Sequence, residues 1–95
     1  MTLDVKQLTE NRGTTHGDFA DNARVSQHMK KLFRQENQAR KARGQLLLTD
    51  TQLDALDMIA AKVGRIFAGD CDFQDHWDDI AGYAHIANRQ TTTGA

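Results

Sequence analysis

Between residues 50 and 68, Leu53, Leu56, Ala60, Val63 and Phe67 recur at near-helical spacing, and Ile59 and Ile66 widen the stripe they form. At about 100° per residue, Asp50, Asp54, Asp57, Ala61 and Arg65 fall on the other side, with Lys62 at the flank. A segment patterned in this way folds as a helix with one face against neighbours and one face polar. Thr49 or Asp50 is placed to cap its start. The chain contains no proline, so the strongest helix breaker is missing throughout. No period-two alternation marks a strand, and no internal repeat is evident.

Two further helices are expected around this one. The first begins near Asp18 or Asp21, where an aspartate can accept backbone N–H bonds and suits the positive end of the helix dipole. It runs to about Phe33 with Val25, Met29, Leu32 and Phe33 as its apolar face, and Asn22 projects from that face one turn earlier. An amide there must find partners if it is buried. Residues 35–43 are polar and rich in helix formers, so they either extend this helix or form a mobile arm, ended by Gly44. After a turn over residues 69–73, the last helix carries Trp77, Ile80, Ala84 and Ala87 on one side and Asp75, Asp78, Asp79 and Gly82 roughly opposite. Trp77 is most simply core. A glycine inside a helix costs about 1 kcal/mol relative to alanine, so close approach of a helix or ligand is expected at Gly82.

The expected fold class is therefore all-α, a small helical bundle of three main helices. Residues 1–17 form an amino-terminal segment with a short Leu3, Val5, Leu8 pattern and a turn lying over the body, residues 18–90 a single helical domain, and residues 91–95 a frayed tail. With 95 residues, a 39% apolar share and only one Trp, one Tyr and four Phe, a single core would be thin. Dimerisation that completes the bundle is the natural supplement. The net charge is only −1, but it is segregated. Lys30, Lys31, Arg34, Arg40, Lys41 and Arg43 face only Glu36, whereas Asp50, Asp54, Asp57, Asp70, Asp72, Asp75, Asp78 and Asp79 face Lys62 and Arg65. Such asymmetry suits nucleic-acid binding, self-association of opposite patches, or simply solvated faces. The basic stretch lacks interleaved aromatics beyond Phe33 and matches no nucleic-acid motif, so nucleic-acid binding is not expected. Cys71 is alone, no paired Cys and His pattern suggests zinc, and neither a membrane-spanning run nor a signal-peptide core is present. A cytoplasmic protein without a membrane partner is expected.

Asp54-x-x-Asp57 and Asp75-x-x-Asp78 each place two acids on one helix surface, with Asp79 beside the second pair. Two antiparallel helices joined by a short turn could bring these surfaces together. Such oxygen donors suit Mg²⁺ or Mn²⁺, and a metal so held can neutralise phosphate charge and activate water. The alternative is that Asp50, Asp54 and Asp57 complement the helix amino terminus and face water. Lys62 and Arg65 could meet phosphate oxygens or serve as counter-ions for nearby acids. In His16-Gly17-Asp18-Phe19, followed by Asn22, glycine bends the chain into a helix start that offers N–H groups to an anion. His16 could transfer a proton there or be structural. Tyr83 sits at the border of the last helix's apolar side, as core with its hydroxyl on a partner or as a base-stacking ring. His28, His76 and His85 have no metal-ligand spacing and are expected at the surface or behind the site.

The segments LDALDMIAAKVGRI (53–66) and DHWDDIAGYA (75–84), with HGDF (16–19) and Asn22 upstream, resemble a family of small phage and prophage proteins of unassigned function. The likeness spans most of residues 12–87. More distantly it is similar to the all-α nucleoside triphosphate pyrophosphohydrolases of the MazG and dimeric dUTPase type. Those enzymes hold Mg²⁺ with a Glu-x-x-Glu pair and a later Glu-x-x-Asp pair, and work as dimers or tetramers. The resemblance implies that Asp54 and Asp57 stand for the first pair and Asp75 with Asp78 for the second, or Asp79 in an alternative register. The residues' own positions add His16 as a catalytic candidate, and Asp18, Asn22, Lys62, Arg65 and Tyr83 as candidates around a nucleotide. Here every such acid is Asp rather than Glu, which shortens the reach to a metal by one methylene. The expected function is a MazG-like, Mg²⁺-dependent nucleotide pyrophosphohydrolase, or its nucleotide-binding descendant, from a phage or prophage. The alternative is a non-enzymatic phage accessory protein that binds a host or phage protein.

Overall fold

A computed structural model describes residues 13–91. Three long helices follow a short helical turn at residues 13–16: α1 (Phe19–Ala42), α2 (Asp50–Ala68) and α3 (Gln74–Thr91). No strand occurs among the described residues, and the domain is an all-α bundle. No helix among them is long and apolar enough to cross a membrane. The Leu3, Val5, Leu8 pattern and the tail from residue 92 onward lie outside the described residues.

The polar stretch at residues 35–43 extends α1. Its continuation is stabilised by its end, where Arg40 and Lys41 favour the negative pole and the chain closes in a Schellman turn. Gln45 N–H reaches the Arg40 carbonyl (2.9 Å) and Gly44 N–H the Lys41 carbonyl (3.0 Å), with Gly44 at φ +74°. Buried Asn37 then accepts the Leu48 N–H (2.9 Å) and pins the connection to α2. Thr49 is the cap of α2: its hydroxyl accepts from Gln52 N–H, and the Gln52 side chain accepts from Thr49 N–H, which is a complete capping box.

α1 and α3 each pack antiparallel against α2 and make no contact with one another. Small side chains permit this. Ala60 is fully buried, and Gly64 lies so close to Asn22 on α1 that an added Cβ would come 2.6 Å from the Asn22 carbonyl oxygen. The Cα radius of gyration, 16.2 Å, exceeds the roughly 12 Å of a compact chain of this length, and the extents are 52 × 27 × 27 Å. Two faces of α2 consequently stay open between its neighbours. One carries Asp54, Asp57 and Arg65; the other carries Leu56, Val63 and Phe67, so the apolar stripe is only partly covered. Phe67 is 77% exposed and Trp77 52%, correcting the expectation of Trp77 as core; its indole N–H donates to the Cys71 carbonyl (2.8 Å).

The segment before α1 docks at the far end of α2. Gly17, at φ +75°, and Gly69 lie backbone to backbone, and a side chain on either would strike the other segment's main chain. The Thr15 carbonyl accepts from Asp70 N–H (3.1 Å) and from His76 Nε2 (3.0 Å). A carbonyl can only accept, so Nε2 carries the proton. His76 is 1% exposed and meets the rings of His16 and Phe73 edge-on at 4.9 and 4.8 Å. It is therefore not at the surface, one of the two positions expected for it, because its polar edge is satisfied by backbone.

Candidate functional site

The antiparallel pairing of α2 with α3 offsets the two acid pairs along the bundle. Asp54 and Asp57 stand level with Tyr83 and Ile86, around an open cleft of about 600 Å³, while Asp79 stands level with Lys62. Arg34 on α1 donates to both carboxylate oxygens of Asp57 at 2.6 Å each, and Asp54 adds to the field that raises the Arg34 pKa. Lys62 Nζ lies 2.8 Å from Asp79. That ammonium hydrogen-bonds the Asp79 carboxylate and holds it below the usual carboxylate range, with Arg65 contributing more weakly. Asp54, Asp75 and Asp78 are exposed.

Among the described residues, no group of three or more His, Cys, Asp or Glu side chains could hold a metal ion. Among the described residues, Asp54, Asp57, Asp75, Asp78 and Asp79 do not gather into one cluster: helix offset separates the pairs, and Arg34 and Lys62 pair with Asp57 and Asp79. Tyr83 lies with Asp54 and Asp57, apart from Arg65, and so does not belong to a common substrate site with it. Lys62 takes the counter-ion role of the two open to it.

Four other candidates do come together. His16, Asp18, Asn22 and Arg65, with Gly13, Gly17 and Phe19, line one cleft of about 500 Å³ at the start of α1. The local sequence explains the shape: Gly17 turns the chain so that Asp18 becomes the residue before the helix, and Gly64 admits Asn22 against α2. Asp18 makes no side-chain capping bond, contrary to expectation. The first-turn N–H groups of α1 therefore lack the usual internal acceptor. Arg65 contributes a buried Nε with no hydrogen-bond partner. A buried, charged donor left unsatisfied is costly, and a helix start adds positive potential beside it. Phe19 is 81% exposed at the rim, an apolar ring with an open face. The His16 ring borders the cleft, with Thr15 Oγ1 at its Nδ1 and His76 against its side.

Two residues that shape this region carry roles the sequence does not show: Arg34, part of the basic stretch, neutralises Asp57, and Gly64, rather than Gly82, marks the close approach, while His76, expected at the surface or behind the site, is the buried post behind His16. Nothing lies within 4 Å of a Cβ built on Gly82. Only Gly64 left a readable signal, a glycine at the border of the α2 apolar stripe. Comparison with known proteins finds no family model, no curated protein and no solved structure that matches this chain.

Proposed function

We propose that this chain binds a nucleotide in the cleft between the start of α1 and Arg65, as a binding protein that does not hydrolyse its ligand. The observation that carries this reading is Arg65, which lines a cleft that an uncapped helix start also borders and whose buried Nε has no hydrogen-bond partner. Both features call for an anion, and a phosphate group satisfies several N–H donors at once. Phe19 offers its exposed ring to a base, and Asp18 and Asn22 offer acceptor and amide groups to sugar or base edges. His16 lines the ligand's path rather than activating water. Pyrophosphate cleavage through Mg²⁺ has no support in the arrangement of the acids, so the nucleotide-binding descendant is preferred over the enzyme. The resemblance to small phage and prophage proteins supports an origin there, and a nucleotide ligand suits a cytoplasmic setting.

Titration calorimetry and amide NMR shifts with a panel of ribo- and deoxyribonucleotides, with and without Mg²⁺, test this. The expected result is binding that does not require Mg²⁺, with shifts centred on Gly17, Phe19 and Asn22. Arg65→Gln should weaken it about thirtyfold, the order expected for a charge-assisted hydrogen bond to phosphate. Arg34→Gln, in the other cleft, should leave it unchanged. No binding by any nucleotide, inorganic phosphate or pyrophosphate to the folded protein would refute the reading. Mg²⁺-dependent pyrophosphate release would restore the hydrolase instead.

A further inference from the structure

We infer that the cleft between the start of α1 and Arg65 takes a ligand with one phosphate, a nucleoside monophosphate, and selects against the di- and triphosphate; the inference rests on the nucleotide reading above and names the class within it. Among the described residues, Arg65 is the one side chain of fixed positive charge that lines the cleft, and Asp18 places a carboxylate in the same lining. The neighbouring cations are engaged elsewhere. Lys62, the lysine of α2, holds Asp79 at 2.8 Å with its side chain only 12% exposed. Arg34 grips both carboxylate oxygens of Asp57 in the other cleft. Arg24 stands outside the lining, 4.0 Å from Asp21 in an exposed pair. Arg65 itself also acts on Asp79, whose carboxyl it helps to hold below the ordinary range.

A phosphate monoester carries a charge of about −1.5 to −2 near pH 7, which one guanidinium and the roughly half-unit positive charge of a helix start nearly offset. Each further phosphate adds negative charge for which the described lining holds no second fixed cation, and which Asp18 repels. Sites that cradle a polyphosphate set a lysine on it, and here the lysine of α2 is turned to Asp79 instead. Asp18 conversely favours the nucleoside end. An ionised carboxylate only accepts hydrogen bonds, so it calls for N–H or O–H donors, which base edges and sugar hydroxyls carry and a polyphosphate chain does not. Phe19, the next residue, is 81% exposed and gives such a base a ring to stack on. The cleft volume of about 500 Å³ lies within the range of small-ligand sites.

The test is titration calorimetry of the full chain at pH 8 and low salt, with a chelator present, using the mono-, di- and triphosphates of each common ribonucleoside. At pH 8 an ordinary imidazole is neutral, so Arg65 and Asp18 set the charge of the described lining. The expected order has the monophosphate tightest, with affinity falling about fivefold for each added phosphate, the size of one like-charge repulsion across a hydrated cleft. Asp18→Asn should narrow the ratio between mono- and triphosphate from about twenty-fivefold to within about twofold, and salt at about 0.5 M should narrow it in the unaltered chain. Far-UV circular dichroism should be the same for both chains. Affinity that is equal across the series, or that rises with phosphate number, overturns the inference and leaves the nucleotide reading standing. A fall with phosphate number that Asp18→Asn does not narrow overturns the selection assigned to Asp18. No binding by any member of the series removes the nucleotide reading and this inference together.

Discussion

Gly64→Ala and Gly82→Ala are chemically the same change in the middle of two helices, and the structure predicts different outcomes. Replacing glycine by alanine in a helix interior gains about 1 kcal/mol from backbone entropy when nothing opposes the methyl group. At Gly82 nothing lies within 4 Å, so the full gain of about 1 kcal/mol should appear. At Gly64 the new methyl would stand 2.6 Å from the Asn22 carbonyl oxygen, whereas ordinary contact begins near 3.4 Å. α1 and α2 must then separate by roughly 0.8 Å at their crossing, and no rotamer relieves a clash with main chain. Overpacking of this kind costs typically 1–3 kcal/mol, so after the propensity gain the net loss should be about 0–2 kcal/mol. For a domain of this size, Gly82→Ala should raise the melting temperature by about 5 °C, whereas Gly64→Ala should give no rise and a fall of up to about 10 °C. Thermal and urea unfolding followed by far-UV circular dichroism measure both. If Gly64→Ala stabilises the protein as much as Gly82→Ala does, the close helix crossing does not exist, and the position of Asn22 beside Arg65 falls with it.

The Asp79 carboxyl should titrate below the ordinary carboxylate range by carbon-detected NMR, and Lys62→Met should return it to that range. Because the folded-state pKa is lowered, the stability this pair contributes is present above the unfolded carboxylate pKa of about 3.9 and is lost as pH falls through the folded value; an ordinary midpoint in the native protein refutes the pairing. Thr49→Ala removes one half of the capping box and should cost about 1 kcal/mol in urea unfolding. Asn37→Ala leaves the Leu48 N–H without its acceptor and should cost about 1–3 kcal/mol, with hydrogen exchange at Leu48 accelerating more than at Ala60. His76→Ala empties a buried ring site and should cost about 2–4 kcal/mol while loosening the amide of Gly17; an unchanged melting temperature would show that the amino-terminal segment does not depend on it.

Helix content was legible because it is written in local terms. The period of Leu53 to Phe67, the capping signals at Thr49 and Gly44, and the absence of proline each act within a few residues. What the sequence could not convey was which open side of α2 its neighbours would leave. Asp57 reads as one of a pair with Asp54 along α2, and only the placement of α1 brings Arg34 to it from 23 positions away. Gly82 and Gly64 are both glycines within helices, and a sequence does not say which of them another backbone passes. The motif at residues 16–19 was legible as a bend into a helix start. That Arg65 would come to border the same cleft depends on the docking of Gly17 against Ala68 and Gly69, a contact between segments some fifty residues apart.

The sign of the guest follows from how the protein has distributed its own charges. A divalent cation at Asp79 would compete with Lys62, whose side chain is only 12% exposed. Displacing that carboxylate toward a metal would leave a mostly buried ammonium without its partner, and an unpaired buried charge is far more costly than the loss of a solvated pair. A cation at Asp57 would compete with a two-pronged Arg34 contact in the same way. The anion proposed beside Arg65 would break no direct ion pair of this kind, and it would meet a side chain whose buried Nε has no partner, near the start of α1 that Asp18 leaves uncapped. The stripe of α2 that suggests a metal by its aspartates is therefore, once α1 and α3 are in place, met by Arg34 and Lys62, which is why the proposed guest is phosphate.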